Sequence, residues 1–352
     1  MKQGQPIRVL IAEDSPTARQ LLVSIFDGDS GFEVVGQAKN GTEAIEMAIA
    51  LRPDLISMDV EMPILSGIEA TREIMRDAPT PIIIVTATTS SKDVSLALTA
   101  TQAGALTVVE KPSNPLSPSF EEQRGQLLSM ARAMAAVKVV RRVRTGDTGP
   151  RPTPPARPAV SAEIRLVAIG TSTGGPAALH QILRELGTSC PVPIVIVQHM
   201  AHGFLQGLAD WLRANSGVHI SLATDGQLLM PGAAYLAPDD VHLGVTPDLR
   251  ATLYRGAAIG GFRPSVDYLF DSGGRAFGGS LLAAILTGMG QDGVEGLRTV
   301  KANGGTVLAQ DEASSIVFGM AQQAIVGGLV DEVIPLGRIG RRIGEIVRAT
   351  RR

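Results

Sequence analysis

Two groups of side chains in this sequence have types and spacings that suggest chemistry. In the first, Gly170-Thr171-Ser172-Thr173-Gly174-Gly175 follow an apolar run and lead into a helix opening at Pro176. This G-x-S-x-G spacing permits a sharp strand-to-helix turn that exposes a serine hydroxyl, and proline suits a first helical turn. Two plainer readings fit the same residues: a tight turn, or a phosphate-binding glycine loop. Against the loop, the spacing is not G-x-G-x-x-G, and the next strand ends in Gln198-His199 rather than in an acid. A nucleophilic serine needs a base and a group that orients it. Of the five histidines, His199 alone stands at the carboxyl end of an expected strand. His180 and His202 fall in or beside helices, His219 inside a strand and His242 in a hairpin. A second glycine cluster, Thr287 to Gly293, puts Asp292 at the mouth of a helix, where capping that helix would by itself explain an acid. Ser172, His199 and Asp292 would then meet at one sheet edge as a Ser-His-Asp triad. Their order, and the single strand before the serine, do not fit an α/β-hydrolase. Cys190, in a proline-flanked loop, reads as a small apolar filler.

The second group is carboxylate-rich. Glu13-Asp14, Asp59, Thr86 and Lys111 end successive apolar runs, so five functional groups share one edge of a parallel sheet, where ligands bind. Any one of these acids could simply cap a helix. Three clustered carboxylates repel one another unless a hard cation sits among them, and all-oxygen ligation suits Mg²⁺. An aspartate can itself accept a phosphoryl group, with a lysine and a threonine hydroxyl to meet the anion.

Elements that could position these groups alternate in the βαβ manner on both sides of a break. The N-terminal strands are expected at 7–12, 32–36, 55–58, 82–85 and 105–109, with helices at 17–26, 42–51, 68–76, 94–102 and 120–143, a (βα)5 pattern. C-terminal strands are expected at 165–169, 194–197, 218–223, 281–286 and 306–309, with helices at 177–186, 203–214, 266–276, 294–302 and 339–349. Residues 231–255 read as a β-hairpin insert. Between the halves, residues 144–163 carry five prolines and two glycines and read as a semi-extended linker. The expected domains are therefore 1–143 and 164–352. The basic stretch 124–157 and the basic C-terminus 338–352 read as solvated surface.

Composition narrows the classes. The 352 residues carry 32 Lys+Arg against 34 Asp+Glu, a net charge of −2, so no polycationic field recruits nucleic acid. Eight Phe, three Tyr and one Trp leave few rings for stacking bases. One cysteine excludes an intrachain disulfide and fits a reducing compartment. No apolar run approaches the roughly 18 residues of a membrane helix. A cytoplasmic protein, neither membrane-inserted nor bound to nucleic acid, and monomeric, is the expectation. Only part of the surplus of 39 glycines falls in the two clusters.

The segments IAEDS, MDVEMPILSGIEA, IIIVTAT and VVEKP resemble the motifs of two-component receiver domains, which have a flavodoxin-like fold. That resemblance makes Asp59 the phosphorylated aspartate. It gives Mg²⁺ to Glu13, Asp14, Asp59 and the Glu61 carbonyl, phosphate sensing to Thr86 and Lys111, and often a cis peptide at Lys111-Pro112. Val108 stands where the family usually has an aromatic switch. The segments GTSTGGP, IVIVQHM, RPSVDYLF, LTGMGQDGVEG and SSIVFGM resemble the chemotaxis protein-glutamate methylesterases, whose architecture is a receiver, a linker and a doubly wound α/β catalytic domain. By that likeness Ser172 is the nucleophile, His199 the general base and acid, and Asp292 the orienting acid. Thr173 would help to position His199, and the Met289 amide would serve the oxyanion hole. The implied substrate is a methyl-esterified glutamate, or a particular glutamine, on a chemoreceptor cytoplasmic domain; the implied phosphodonor is a chemotaxis histidine kinase. The linker would let an unphosphorylated receiver lie over the serine pocket. Ala321-Gln322 and Asp239-Asp240 depart from the family pattern. A non-hydrolytic regulator acting by docking is the alternative.

Overall fold

The computed structural model describes residues 5–87, 91–112, 114–137, 139 and 162–351. The chain divides into two compact units, Met1–Pro150 and Arg151–Arg352. Most of the expected linker, residues 144–161, lies outside the described residues.

The first unit alternates β1 (Ile7–Ala12), α1 (Pro16–Asp27), β2 (Phe32–Ala38), α2 (Gly41–Leu51), β3 (Leu55–Met58), α3 (Gly67–Asp77), β4 (Ile82–Thr86), α4 (Ser91–Ala103), β5 (Thr107–Glu110) and α5 (Phe120–Ala135). All pairings are parallel, in the order β2-β1-β3-β4-β5. Strands β3 and β4 are buried along their whole length, which is why they read as unbroken apolar runs rather than as alternation. Polar side chains start the helices: Asn40 accepts from the Glu43 amide ahead of α2, and Ser66 and Glu69 form a capping box at α3. The fifth helix stops at Ala135, not at the expected Val143. Met134 is the last side chain it buries, and residues 135–137 and 139 add no buried side chain to reward a longer helix. Residues 138 and 140–143 of that expectation are outside the described set.

The second unit is built around a seven-stranded parallel sheet, β14-β13-β12-β6-β7-β9-β8. Its strands are β6 (Leu166–Thr171), β7 (Ile194–Gln198), β8 (His219–Leu222), β9 (Ala233–Leu236), β12 (Leu281–Ile285), β13 (Thr306–Gln310) and β14 (Glu332–Ile334). Helices α6 (Gly175–Leu186), α7 (Phe204–Ser216), α8 (Val266–Phe277), α9 (Val294–Ala302), α10 (Met320–Val326) and α11 (Leu336–Ala349) connect or follow them. A separate antiparallel hairpin joins β10 (His242–Val245) to β11 (Ala251–Tyr254). The insert is thus smaller than expected. The segment Ala233–Leu236, placed in the hairpin from its turn-rich flanks, is a fully buried strand paired in parallel between β7 and β8. Two short elements, α10 and β14, were not foreseen, being too brief for periodicity to reveal. No helix among the described residues is long and apolar enough to cross a membrane.

Both sheets reverse strand order beside their first strand, between β1 and β3 and between β6 and β12. These are the switch points where parallel α/β sheets open a crevice at their carboxyl ends. Core packing holds each edge in place. Phe270 of α8 is fully buried against the second sheet, and truncating such a side chain to alanine costs about 3–5 kcal/mol.

Candidate active site

In the first unit, strand ends bring Glu13, Asp59, Thr86 and Lys111 around a cavity of about 350 Å³, with Asp14 and Glu61 also on its wall. Glu13 and Asp59 are buried, and one oxygen from each of Glu13, Asp14 and Asp59 lies within 4.8 Å of the others. The Lys111 ammonium sits 2.6 Å from Asp59 Oδ2 and 2.7 Å from Glu13 Oε2. The Val60 amide donates to Asp59 Oδ1 at 2.7 Å, leaving Oδ2 directed at the lysine. Burial, reinforced by the charge of Asp59, raises the Glu13 carboxyl above its ordinary value despite Lys111. Burial works against the Lys111 ammonium too, but the two carboxylates hold it above its usual range. This is an anionic pocket short of positive charge, and its hard oxygen donors fit a divalent cation such as Mg²⁺. The cis X-Pro bond among the described residues is Arg263–Pro264, so Lys111–Pro112 is trans, contrary to expectation.

In the second unit the three adjacent strands β7, β6 and β12 deliver His199, Ser172 and the loop of Asp292 to the switch point. Ser172 directly follows β6. Its amide donates to the Thr287 carbonyl at 3.1 Å, and the Thr171 hydroxyl reaches the same carbonyl at 2.9 Å. The Thr287 hydroxyl in turn donates to the Thr173 carbonyl at 2.9 Å. Gly288 completes this seam because no side chain would fit there. A Cβ on it would stand 2.8 Å from Ser172 Cβ and 2.3 Å from Met320 Sδ. On the other side the Gln198 side-chain amide donates at 2.8 Å to the carbonyls of both Ser172 and His199, tying the two residues together through their backbones. The Ser172 hydroxyl itself makes no hydrogen bond to the described residues.

His199 is nearly buried, with Nε2 2.8 Å from Asp292 Oδ2. That contact has ion-pair distance without hydrogen-bond alignment, and Nδ1 is buried with no partner among the described residues. Neither Ser172 nor Thr173 hydrogen-bonds the ring. Unligated catalytic contacts are commonly loose in this way. What does fix the ring plane was not foreseen: Phe262 stacks on it, with centroids 4.1 Å apart and an interplanar angle of 4°. Its only sequence signal is an aromatic after the Gly260-Gly261 turn.

Asp292 does not cap the helix that follows it. It accepts instead from the N-terminus of α8: Ser265 Oγ at 2.8 Å, the Val266 amide at 2.7 Å and the Asp267 amide at 3.0 Å. These three donors leave one of its four lone-pair positions open toward His199. Burial opposes its charge, but His199 and the two amides outweigh burial and hold the Asp292 carboxyl below its ordinary value. Asp267 moves the other way, to about 6, through burial first and with the charge of Asp292 adding to it. The Met289 amide, expected to face an oxyanion, donates to no acceptor among the described residues, and its side chain is exposed. Of the four remaining histidines, His242 is fully buried, its Nε2 2.9 Å from the Ala257 carbonyl. His180 lies on α6 and His219 is exposed on β8. His202 pairs with Asp240 at an exposed site.

Residues 167–343 match the CheB methylesterase family, and residues 9–117 match the response regulator receiver domain. The protein-glutamate methylesterase/protein-glutamine glutaminase 4 of Myxococcus xanthus is 48% identical over 99% of this chain and 99% of its own length. A protein of the same name, numbered 3, from Anaeromyxobacter dehalogenans is 46% identical over 96% of this chain and 98% of its own. Among solved structures, the CheB methylesterase catalytic domain of Thermotoga maritima is 40% identical. It superposes with a TM-score of 0.51 over 52% of this chain and 99% of that one.

Proposed function

This chain belongs to the CheB methylesterase family, and from that premise we propose that it is a serine hydrolase of methyl-esterified glutamates on chemoreceptors, activated by phosphorylation. It also deamidates particular receptor glutamines by the same acyl transfer, with ammonia leaving in place of methanol. Residues 1–143 form the receiver, 144–163 the linker and 164–352 the catalytic domain. The observation that carries the reading is the meeting of Ser172, His199 and Asp292 from three adjacent strand ends, with His199 Nε2 2.8 Å from Asp292.

With Nε2 given to Asp292, Nδ1 is the ring nitrogen left to take the Ser172 proton as Oγ attacks the ester carbonyl. The resulting imidazolium is stabilised by Asp292, and the proton passes to the departing methoxide. The free amide of Met289 meets the developing oxyanion, a type of contact worth about 3–4 kcal/mol where it has been removed elsewhere. Water, deprotonated by His199, then opens the acyl-enzyme and regenerates the glutamate and Ser172. Thr173 positions the histidine through the turn that it shares with Ser172. No metal enters this half of the chemistry.

In the receiver, Asp59 is the phosphoryl acceptor and a histidine kinase of the chemotaxis class the donor. Asp59 attacks the phosphohistidine phosphorus and the P–N bond breaks. Glu13, Asp14, Asp59 and the Glu61 carbonyl would hold Mg²⁺, which when bound neutralises the crowded oxygens. Thr86 and Lys111 meet the new phosphoryl group. Its charge draws Lys111 from Glu13 and shifts the receiver to a state that no longer restrains the esterase. The test is methanol release from a methylated receptor fragment. Ser172→Ala is expected to abolish it, and near-normal turnover would remove the assignment.

A further inference from the structure

The reversal at Asp292, which caps the neighbouring helix rather than its own, has a counterpart across the α8–α9 contact. Helix α9 starts at Val294 with Gly293 as its N-cap, so it has no capping side chain of its own. One is supplied by α8. Asp267 Oδ1 accepts from the Gly293 amide at 2.9 Å and from the Gly296 amide at 2.8 Å, the N-cap amide and the third amide of the first turn, the pair that a capping box would normally satisfy. The two helices therefore cross-cap. Asp292, leading into α9, closes the N-terminus of α8, and Asp267, in the first turn of α8, closes the N-terminus of α9. The backbones are close enough for this because position 296 is glycine: a Cβ there would stand 2.4 Å from the Asp267 carbonyl oxygen.

We infer that Asp267 is a positioning residue for the esterase reaction, holding Asp292 on His199 by anchoring the peptide of Gly293. This rests on the triad reading above. Asp292 is one residue from the amide that Asp267 grips, and its carboxylate grips the amide of Asp267 in return. The pair forms a closed ring of hydrogen bonds. Asp292 can shift relative to α8 only if Asp267 releases α9. Asp267 touches neither serine nor substrate, so its loss should act on the orientation of His199 and not on docking. A displacement of the order of 1 Å in such a constellation can cost up to about 100-fold in rate.

The experiment compares full-length Asp267→Ala, Asp267→Asn and a control, Asp331→Ala. The control removes an acceptor of the Val307 amide and a Lys301 ion pair, remote from the triad. Steady-state methanol release from a methyl-esterified receptor fragment is measured beside thermal melting, with Ser172→Ala in parallel. The expected result is that Asp267→Ala lowers kcat about tenfold or more with KM within twofold. Asp267→Asn, whose Oδ1 can still accept both amides, should restore kcat to within about threefold of the parent. Asp331→Ala should melt lower with kcat unchanged. An unchanged kcat in Asp267→Ala, or an Asn variant as slow as the Ala variant, overturns the positioning role. If Asp267→Ala does not fold, Asp267→Ser takes its place with the same expectation, since its side chain is too short to reach both amides. Activity in Ser172→Ala would indict the triad itself, whereas an inactive Ser172→Ala beside a normal Asp267→Ala would remove only the present inference.

Discussion

Replacing Asp292 with asparagine separates its two jobs, and the structure fixes the expected size of each effect. The carboxylate faces three donors of the α8 N-terminus as well as His199. An asparagine has one acceptor oxygen. If that oxygen faces Ser265 Oγ and the Asp267 amide, the NH₂ group meets the Val266 N–H; if flipped, it meets the Asp267 N–H. Either way one N-terminal amide of α8 is left facing a donor, and an orphaned buried group of this kind costs about 1–3 kcal/mol. Relief of repulsion with Asp267 offsets part of that cost, so the lower half of the range is expected. A melting shift of roughly 2–8 °C follows for a domain of this size. The pH dependence has a definite sign. Asp292 is held below its ordinary value in the fold, so its stabilisation is complete above the usual carboxylate range and fades as pH falls through the native value. The deficit of the variant should therefore shrink on acidification below about pH 4. The catalytic loss should be far larger than the stability loss. With no carboxylate to hold Nε2–H, the ring is free to present the wrong tautomer to Ser172, a fault that costs about 10⁴ in kcat in a comparable triad. Thermal melts across pH and methanol release on the same preparations read both effects. A variant that melts normally and turns over within tenfold of the parent would show that Asp292 neither closes α8 nor holds His199.

Other consequences are open to simpler checks. Phe262→Ala removes the ring stacked on His199 and is expected to lower kcat several-fold while leaving the melting temperature within a few degrees; an unchanged kcat would show that the stack is incidental. Asp59→Asn should abolish incorporation of labelled phosphate from the kinase and leave the esterase at its unphosphorylated rate, and labelling that persists would move the acceptor elsewhere. Chelation of divalent cations should stop phosphorylation of the full chain but not basal methanol release, because the proposed serine chemistry calls on no metal; loss of both would contradict the assignment. Removing residues 1–143 is expected to raise basal esterase activity, and an unchanged or lower rate would argue against inhibition by the receiver.

The residues that do the proposed chemistry could be read from the sequence because strand ends in parallel sheets are marked by abrupt changes from apolar to functional side chains. Glu13, Asp59, Ser172 and His199 each terminate an apolar run in this way. What links them could not be read so easily. The partners of Asp292 lie on α8, far away in sequence, and a cap borrowed across a helix pair leaves no local spacing to detect. Its position before α9 suggested capping of that helix, whereas Gly293 and Asp267 divide the task differently. Phe262 reaches His199 from a glycine turn with no periodicity to mark it. The strand Ala233–Leu236 is not legible as such, because four small or apolar residues between turns read equally well as a hairpin arm or as a buried strand, and only pairing with β7 and β8 decides.

The central claim is that Ser172 attacks the substrate and is acylated, and covalent capture tests it most directly. A serine-directed phosphonate is incubated with the full chain and the modified peptide is identified by mass spectrometry. A single adduct on Ser172 is expected, forming at a rate proportional to esterase activity and lost in His199→Ala. Esterase turnover that continues with Ser172 unmodified, or an adduct that maps to another residue, would contradict it.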